Sequence, residues 1–233
     1  MEPVGKAGSE LSVEERNLLS VAFKQAVASR RDAWRIITSV ELDEMSKGHG
    51  GYAAWAREYS TKVAGELQQV CSTVLGLLEQ TLIPKASGGE AKVFYLKMKA
   101  DYRRYLAEVT TGEAKVKAAS YAEAAYAEVA AIAESTLAVA HPIRLGLAVS
   151  YSGFLCEVQL KPEEACKVAR AAFEAVNAHC DSMQEDLHED SLLFMQLLCD
   201  TLALWTPQEA TPVVQQEEGE GKKRRETSPR TTR

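Results

Sequence analysis

The sequence predicts an all-α fold, on three observations. Apolar residues recur at intervals of three and four rather than alternating. Alanine, the strongest helix former, is abundant, and proline stands only at the edges of periodic segments. Runs of alternating β-branched and aromatic residues are almost absent. Together these imply an antiparallel array of about seven long helices.

The first helix begins after Ser12, with Glu15 at capping-box spacing, and runs to about Met45, where Lys47-Gly48-His49-Gly50-Gly51 breaks it. The second spans about Tyr52 to Leu82 and stops at Pro84. A Ser/Gly loop, Ala86 to Gly89, leads to the third, about Glu90 to Thr110. Thr111-Gly112 separates an Ala-rich fourth helix that reaches about Ala140. His141-Pro142 opens the fifth, to about Leu160, and Pro162 sits in the first turn of the sixth, to about Cys180. The seventh covers about Glu185 to Trp205. Loops this short between long helices make neighbours antiparallel.

At 233 residues and 46% hydrophobic content, the chain can bury a core as one domain. We divide it into a short polar segment (1–10), a helical domain (11–206) and a charged tail (207–233), disordered by composition. From Gln216 the tail holds six basic and four acidic residues, so the remainder carries 21 basic against 29 acidic and about −8 in charge. An acidic body argues against nucleic acid as a partner. MEPVGKAGSEL lacks the apolar core of a secretory signal, and no run of about 18 apolar residues could span a bilayer. A cytoplasmic protein with no membrane partner is expected, and KKRR (Lys222–Arg225) also suits nuclear import. The five cysteines (Cys71, Cys156, Cys166, Cys180 and Cys199) form no CxxC pair and are expected as reduced, buried thiols.

Lys24, Arg31 and Arg35 recur at i, i+7 and i+11, within about 40° of one another on the first helix. Lys97, Arg104 and Tyr105 repeat the arrangement on the third. Two aligned cationic lines suggest one basic pocket for a compact dianion such as a phosphoryl group, for which guanidinium forks and a phenol are suited donors. Glu108, at Arg104 plus four, and Glu157 on the fifth helix are candidates to orient the arginines. Val149, Gly153 and Glu157 share a face of the fifth helix, and Leu197, Thr201, Leu204 and Trp205 share one on the seventh. An apolar wall with hydroxyls at Ser150 and Thr201, facing a cationic wall, would make an amphipathic trough. A solvated charged face and ordinary core packing are the plainer alternatives for these two patterns.

Nothing points to catalysis. His49, His141, His179 and His188 show no metal-ligand spacing, and no P-loop, dinucleotide turn or nucleophile elbow is present, so neither metal nor cofactor is expected. KPEEACKVARAAFEAV resembles a helical-repeat unit, but no period of about 34 residues runs through the chain.

ERNLLSVAFKQAVASRRDAWRIITS, VFYLKMKADYRRYLAEV, HPIRLGLAVSY and MQLLCDTLALW closely resemble, in order, successive signature helices of the 14-3-3 family. The resemblance covers about Glu10 to Trp205 and implies a helical cup, an adaptor for phosphoserine or phosphothreonine segments of client proteins, and no enzymatic activity. It implies that Arg31, Arg35, Arg104 and Tyr105 hold the phosphate with help from Lys24. Lys97 lies further along the groove, and Val149, Leu197, Leu204 and Trp205 form the apolar wall.

Departures from the family pattern bear on function. The family's two short leading helices, one half of its dimer contact, are missing here, whereas the half resembling Val40, Tyr59, Lys62 and Glu66 remains. Ala33 stands where many members carry a phosphorylatable serine. The expectation is a monomer or a weak or rearranged dimer. Ser150 and Thr201 replace two asparagines that clamp the ligand's main chain, and Gly153 replaces an apolar wall residue, which widens the trough. A helical scaffold with weakened or lost phosphate dependence is the alternative function. The tail ends in Arg230-Thr231-Thr232-Arg233, and Thr227 or Ser228 follows a basic run, so a phosphorylated tail is a candidate ligand for the chain's own groove.

Overall fold

A computed structural model of the chain describes residues 10–180 and 189–205. Seven long helices stand among them: α1 (Val13–Ser46), α2 (Gly50–Leu77), α3 (Gly89–Val109), α4 (Gly112–Thr136), α5 (Pro142–Glu157), α6 (Pro162–Cys180) and α7 (Glu189–Trp205). This all-α array is the expected class and helix count. Residues 181–188, where the seventh helix was expected to begin, lie outside the described residues, as do 1–9 and the tail from 206. No described helix is long and apolar enough to cross a membrane.

The start of α1 follows from its cap. Ser12 Oγ accepts from the Glu15 amide at 3.2 Å, and Glu15 Oε2 accepts from the Ser12 amide at 2.8 Å. Three ends differ from the sequence reading. Pro84 does not stop the second helix. Leu78–Leu82 widens into a π turn and the chain continues helically through Ile83–Lys85, because the wider turn removes the clash between a proline ring and the carbonyl four residues back. α4 ends at Thr136, not near Ala140, because Leu137 turns extended to bury its side chain. The Leu137 carbonyl is taken by Arg144 Nη1 at 3.0 Å instead of by a helical amide. α5 ends at Glu157, where the amides of Val158 and Gln159 both donate to the Phe154 carbonyl and Leu160 takes a left-handed φ of 58°.

The core forms three adjoining apolar clusters. The first joins α1, α2 and α3 around Leu19, Leu67, Leu78 and Tyr95. The second joins α3, α4, α5 and α6 around Val93, Tyr126, Phe154 and Ala165. The third joins α5, α6 and α7 around Leu145, Val176 and Leu198. α3 and α5 each serve two clusters, so the helices that carry the central site residues are held from both sides. Gly146 suits this packing, since an added Cβ would lie 3.0 Å from Phe194 Cζ, a tight contact that would make the ring shift. The cysteines correct the sequence reading in part. Cys71 is buried, which pushes its thiol up to about 12, but Cys156, Cys166 and Cys199 are only half-buried. All four are free thiols, and the Cys180 side chain lies outside the described residues.

A charged link ties α3 to α4. Asp101 Oδ1 accepts from the Tyr126 hydroxyl at 2.6 Å, and Oδ2 takes Lys97 Nζ at 2.8 Å. Burial works to raise the Asp101 carboxyl, but Lys97 and Arg104, with the two hydrogen bonds, hold it below the usual range. A carboxyl depressed in the fold contributes stability above its unfolded value of about 3.8, and that stability is lost as pH falls through the folded value. Asp101→Asn should therefore be less stable than the parent near pH 7, by about 1.5–3 kcal/mol for each charge-assisted bond weakened. Urea titrations should show the gap narrowing below about pH 4; a gap that stays constant down to pH 3 would contradict this role.

Candidate phosphate-binding site

Helical geometry aligns the site on α3. Lys97, Asp101, Arg104, Tyr105 and Glu108 fall at i, i+4, i+7, i+8 and i+11, one stripe of an α-helix. Opposite it, α1 brings Arg31 and Arg35, one turn apart. α5 brings Val149, Gly153 and Glu157 at intervals of four.

The three guanidinium groups meet at one carboxylate. Arg31 binds Glu108 through two parallel bonds, Nε to Oε2 at 2.7 Å and Nη2 to Oε1 at 2.9 Å. Arg35 Nη2 lies 3.8 Å from Glu108 Oε2, and Arg104 Nη1 lies 3.6 Å from Glu108 Oε1. Arg35 also donates to Glu157 Oε2 at 3.3 Å, which ties α1 to α5. The Glu108 side chain is 8% exposed, so the cluster is dry on the protein side. Glu108 and Glu157, the candidates to orient the arginines, both bind one, and Glu108 accepts the fork of Arg31, across the gap between helices, rather than that of Arg104 four residues before it.

That choice leaves Arg104 with unused donors. Its side chain is 13% exposed, its nearest carboxylate oxygen is beyond good hydrogen-bond distance, and its buried Nε has no partner. Burial opposes its charge, yet the Asp101 and Glu108 carboxylates help keep the guanidinium protonated. The Tyr105 ring is shared by both basic walls, with Arg31 Cζ 4.4 Å and Arg104 Cζ 4.9 Å from its centroid. Burial raises the Tyr105 phenol, the Asp101 charge adds to this, and Arg104 and Arg31 work against it. The hydroxyl therefore remains a proton donor at neutral pH.

Other expected residues sit further out. Lys24 is exposed, seven residues before Arg31, and makes no ion pair among the described residues. Lys97 is half-buried and paired with Asp101. A pocket of about 210 Å³ opens beside the arginines, lined by Trp34, Arg35, Glu108, Lys115, Glu157 and Val158. On the facing wall, Val149, Ser150, Gly153 and Trp205 are half-buried, Trp205 packs against the middle cluster, and Leu197 and Leu204 are exposed, Leu204 at 80%. The Thr201 hydroxyl donates to the Leu197 carbonyl of its own helix at 2.6 Å.

Three residues at this site were not singled out from sequence. Asp101 lies at the ion-pair spacing from Lys97 and three residues before Arg104, a signal available in the stripe. Tyr126 and Lys115 come from α4, and no local pattern announces that they reach α3. Away from the site, Val40 and Tyr59 are exposed on a concavity of about 560 Å³ that also includes Ile36, Tyr52 and Trp55, the last 69% exposed. Lys62 and Glu66 are exposed nearby, and Glu66 Oε2 lies 3.4 Å from Arg30 Nε.

Comparison with known proteins agrees with this geometry. The family profile described as 14-3-3 protein matches residues 1–206. The chain is 49% identical over 208 residues to the 14-3-3-like protein GF14 omega of Arabidopsis thaliana, covering 88% of this chain and 80% of that protein. It is 48% identical over 206 residues to 14-3-3 protein beta/alpha of Xenopus tropicalis, covering 88% and 84%. It is 50% identical over 211 residues to the 14-3-3 protein homolog of Neospora caninum, covering 91% and 79%. The chain belongs to the 14-3-3 family, a family of non-catalytic, protein-binding adaptors.

Proposed function

We propose that the chain is a phosphoserine- and phosphothreonine-dependent adaptor that captures extended segments of client proteins. The observation that carries this reading is Arg104: a nearly buried guanidinium with unspent donors, beside two further guanidiniums that share one carboxylate. Three guanidiniums (Arg31, Arg35 and Arg104) and the Tyr105 hydroxyl, set against Glu108 and the half-exposed Glu157, leave the site short of negative charge. A phosphate dianion supplies that charge and accepts the free donors. Lys24 adds a longer-range attraction, and the acidic body around a basic furrow focuses it on one anionic group.

At about 1.5–3 kcal/mol for each charge-assisted bond, two new bonds are worth at least about a hundredfold. A phosphopeptide should therefore bind about a hundredfold or more tighter than its unphosphorylated twin in a fluorescence-polarisation titration. Arg104→Lys, which keeps charge but loses the fork, should weaken the phosphopeptide by about tenfold or more and leave the unphosphorylated peptide unchanged. Equal binding of the two peptides by the parent chain would refute the reading.

One observation favours a second reading, a scaffold with weakened phosphate dependence. The Thr201 hydroxyl is committed to its own helix, so it offers a ligand only an acceptor, and no protein group holds the Ser150 hydroxyl among the described residues. A clamp built this way loses about 0.5–1.5 kcal/mol at each position relative to an asparagine. Replacing both (Ser150→Asn with Thr201→Asn) should tighten a phosphopeptide about tenfold. No gain in affinity would show that the hydroxyls, or waters on them, already do the work.

Oligomeric state and tail follow from the same reading. We further propose a monomer or a weak or rearranged dimer, in which the exposed patch around Val40, Tyr59, Lys62 and Glu66 is left open or paired differently. Tethering two sites raises avidity by about 10²–10⁴, and a monomer forgoes this. A tail phosphorylated at Thr227 or Ser228 is a candidate occupant of the groove, since the chain leaves α7 at Trp205 beside it. Native mass spectrometry at micromolar concentration should give one chain with one phosphopeptide. Tail phosphorylation should reduce that uptake, and truncation at Gln216 should restore it; a two-chain mass, or uptake indifferent to the tail, would reject the respective proposal.

A further inference from the structure

Gly153 stands in the interior of α5, between the buried Ser152 and Phe154. Glycine is a poor choice for such a position, because its backbone loses the most freedom in a helix and it contributes no side chain to packing. The fold does not require it. Its backbone is not in the left-handed region, and an added Cβ would meet nothing nearer than Arg104 Nη1, at 4.0 Å, an ordinary contact. Gly146, two turns earlier on the same helix, is the contrast, because there Phe194 occupies the space a side chain would need. At Gly153 the missing side chain leaves an open notch, and the notch looks onto the guanidinium whose donors are unspent.

The neighbours of the notch define its chemistry. One turn before it stands Val149, half-buried and packed against the third apolar cluster. One turn after it stands Glu157, which holds Arg35 at 3.3 Å. Gly153 therefore lies where the helix face changes from apolar to ionic, beside Arg104. A phosphate ester gripped by Arg104 carries its first carbon two bonds from phosphorus. A carbon this close to a phosphate on Arg104 comes within reach of the notch, since the Cβ position at Gly153 is 4.0 Å from Arg104 Nη1. In serine it bears only hydrogens; in threonine it bears a methyl group.

We propose that Gly153 makes the site selective for phosphothreonine over phosphoserine, the notch beside Arg104 receiving the threonine methyl. The inference rests on the phosphate-binding reading above and names the ligand class within it. Burying one methyl-sized group is worth about 0.8 kcal/mol, or about fourfold in affinity. The stiffer χ1 of a β-branched residue adds in the same direction, because less rotamer freedom is lost on binding.

The test uses the full chain and three peptides of one sequence, carrying phosphothreonine, phosphoserine or unmodified threonine, titrated calorimetrically against the parent, Gly153→Ala and Gly153→Val. The parent should prefer phosphothreonine about fourfold. Gly153→Ala places a carbon where the methyl would sit and should erase the preference. Gly153→Val should reverse it while still binding phosphoserine. Alanine strengthens the helix, so a raised melting temperature in Gly153→Ala shows that the change is not a folding defect. Equal affinity of the two phosphopeptides for the parent, or a preference that survives both substitutions, would overturn the inference while leaving the phosphate site standing. If neither phosphopeptide outbinds the unmodified one, the phosphate-binding reading fails and the inference with it.

Discussion

Glu108 is the one acid on which the central cluster depends. Three guanidinium groups cannot be held together in a low-dielectric setting without a counter-charge, since each pair repels and each ion loses hydration. A single carboxylate, 8% exposed, touches all three within 3.8 Å. It is close enough to gather them and too small to neutralise them. Asp101 supports the arrangement from below through Lys97, Tyr126 and the field of Arg104, but its own oxygens are taken. Glu157 holds Arg35 alone, in a half-exposed pair whose contribution is discounted by solvent. The result is a preorganised deficit of negative charge facing one side.

Preorganisation of this kind has a stability cost. A buried guanidinium with an unpartnered Nε forfeits hydrogen bonds it would make in water, at about 1–3 kcal/mol for an unsatisfied group. The fold offsets this by placing α3 between two apolar clusters, so that Tyr95, Tyr102 and Tyr105 bury on one side and Val93, Leu96 and Ala100 on the other. Those contacts fix the helix, and the helix fixes the stripe. The same logic explains the aromatic ring between the basic walls. Tyr105 gives Arg31 and Arg104 a shared ring to lie against, which limits their rotamers without consuming their N–H donors.

Much of this was legible in the chain itself, and for physical reasons. Helical periodicity, the Ser12–Glu15 box and the Pro142 and Pro162 starts are local signals, and they delivered the helix order and the alignment of Arg31 with Arg35 and of Arg104 with Tyr105. What periodicity leaves open is pairing across helices. That Glu108 would give its fork to Arg31 rather than to Arg104 depends on the α1–α3 distance, which no window of sequence contains. Tyr126 and Lys115 were missed for the same reason. The π turn before Pro84 was missed because a proline reads as a stop unless the preceding turn widens, and widening has no local signature. The end of α4 at Thr136 depended on Arg144, seven residues beyond Leu137, capturing a carbonyl.

The two walls of the trough differ in how firmly they are built. The cationic wall is held by α1 and α3, with bidentate, aromatic and buried contacts. The facing wall on α5 and α7 is held by packing alone at Val149 and Trp205, with Leu204 exposed, Thr201 turned to its own backbone and no side chain at Gly153. On the proposed reading, affinity for one charged group is concentrated on the first wall, while the second contributes shape more than hydrogen bonds. Charge on a rigid wall sets which group is captured. A looser, partly vacant wall sets which neighbours of that group are tolerated, and it can change by single substitutions without disturbing the charge. On α5 one carbon more or less at Gly153 would alter the fit, while Glu108 continues to gather the arginines from α1 and α3.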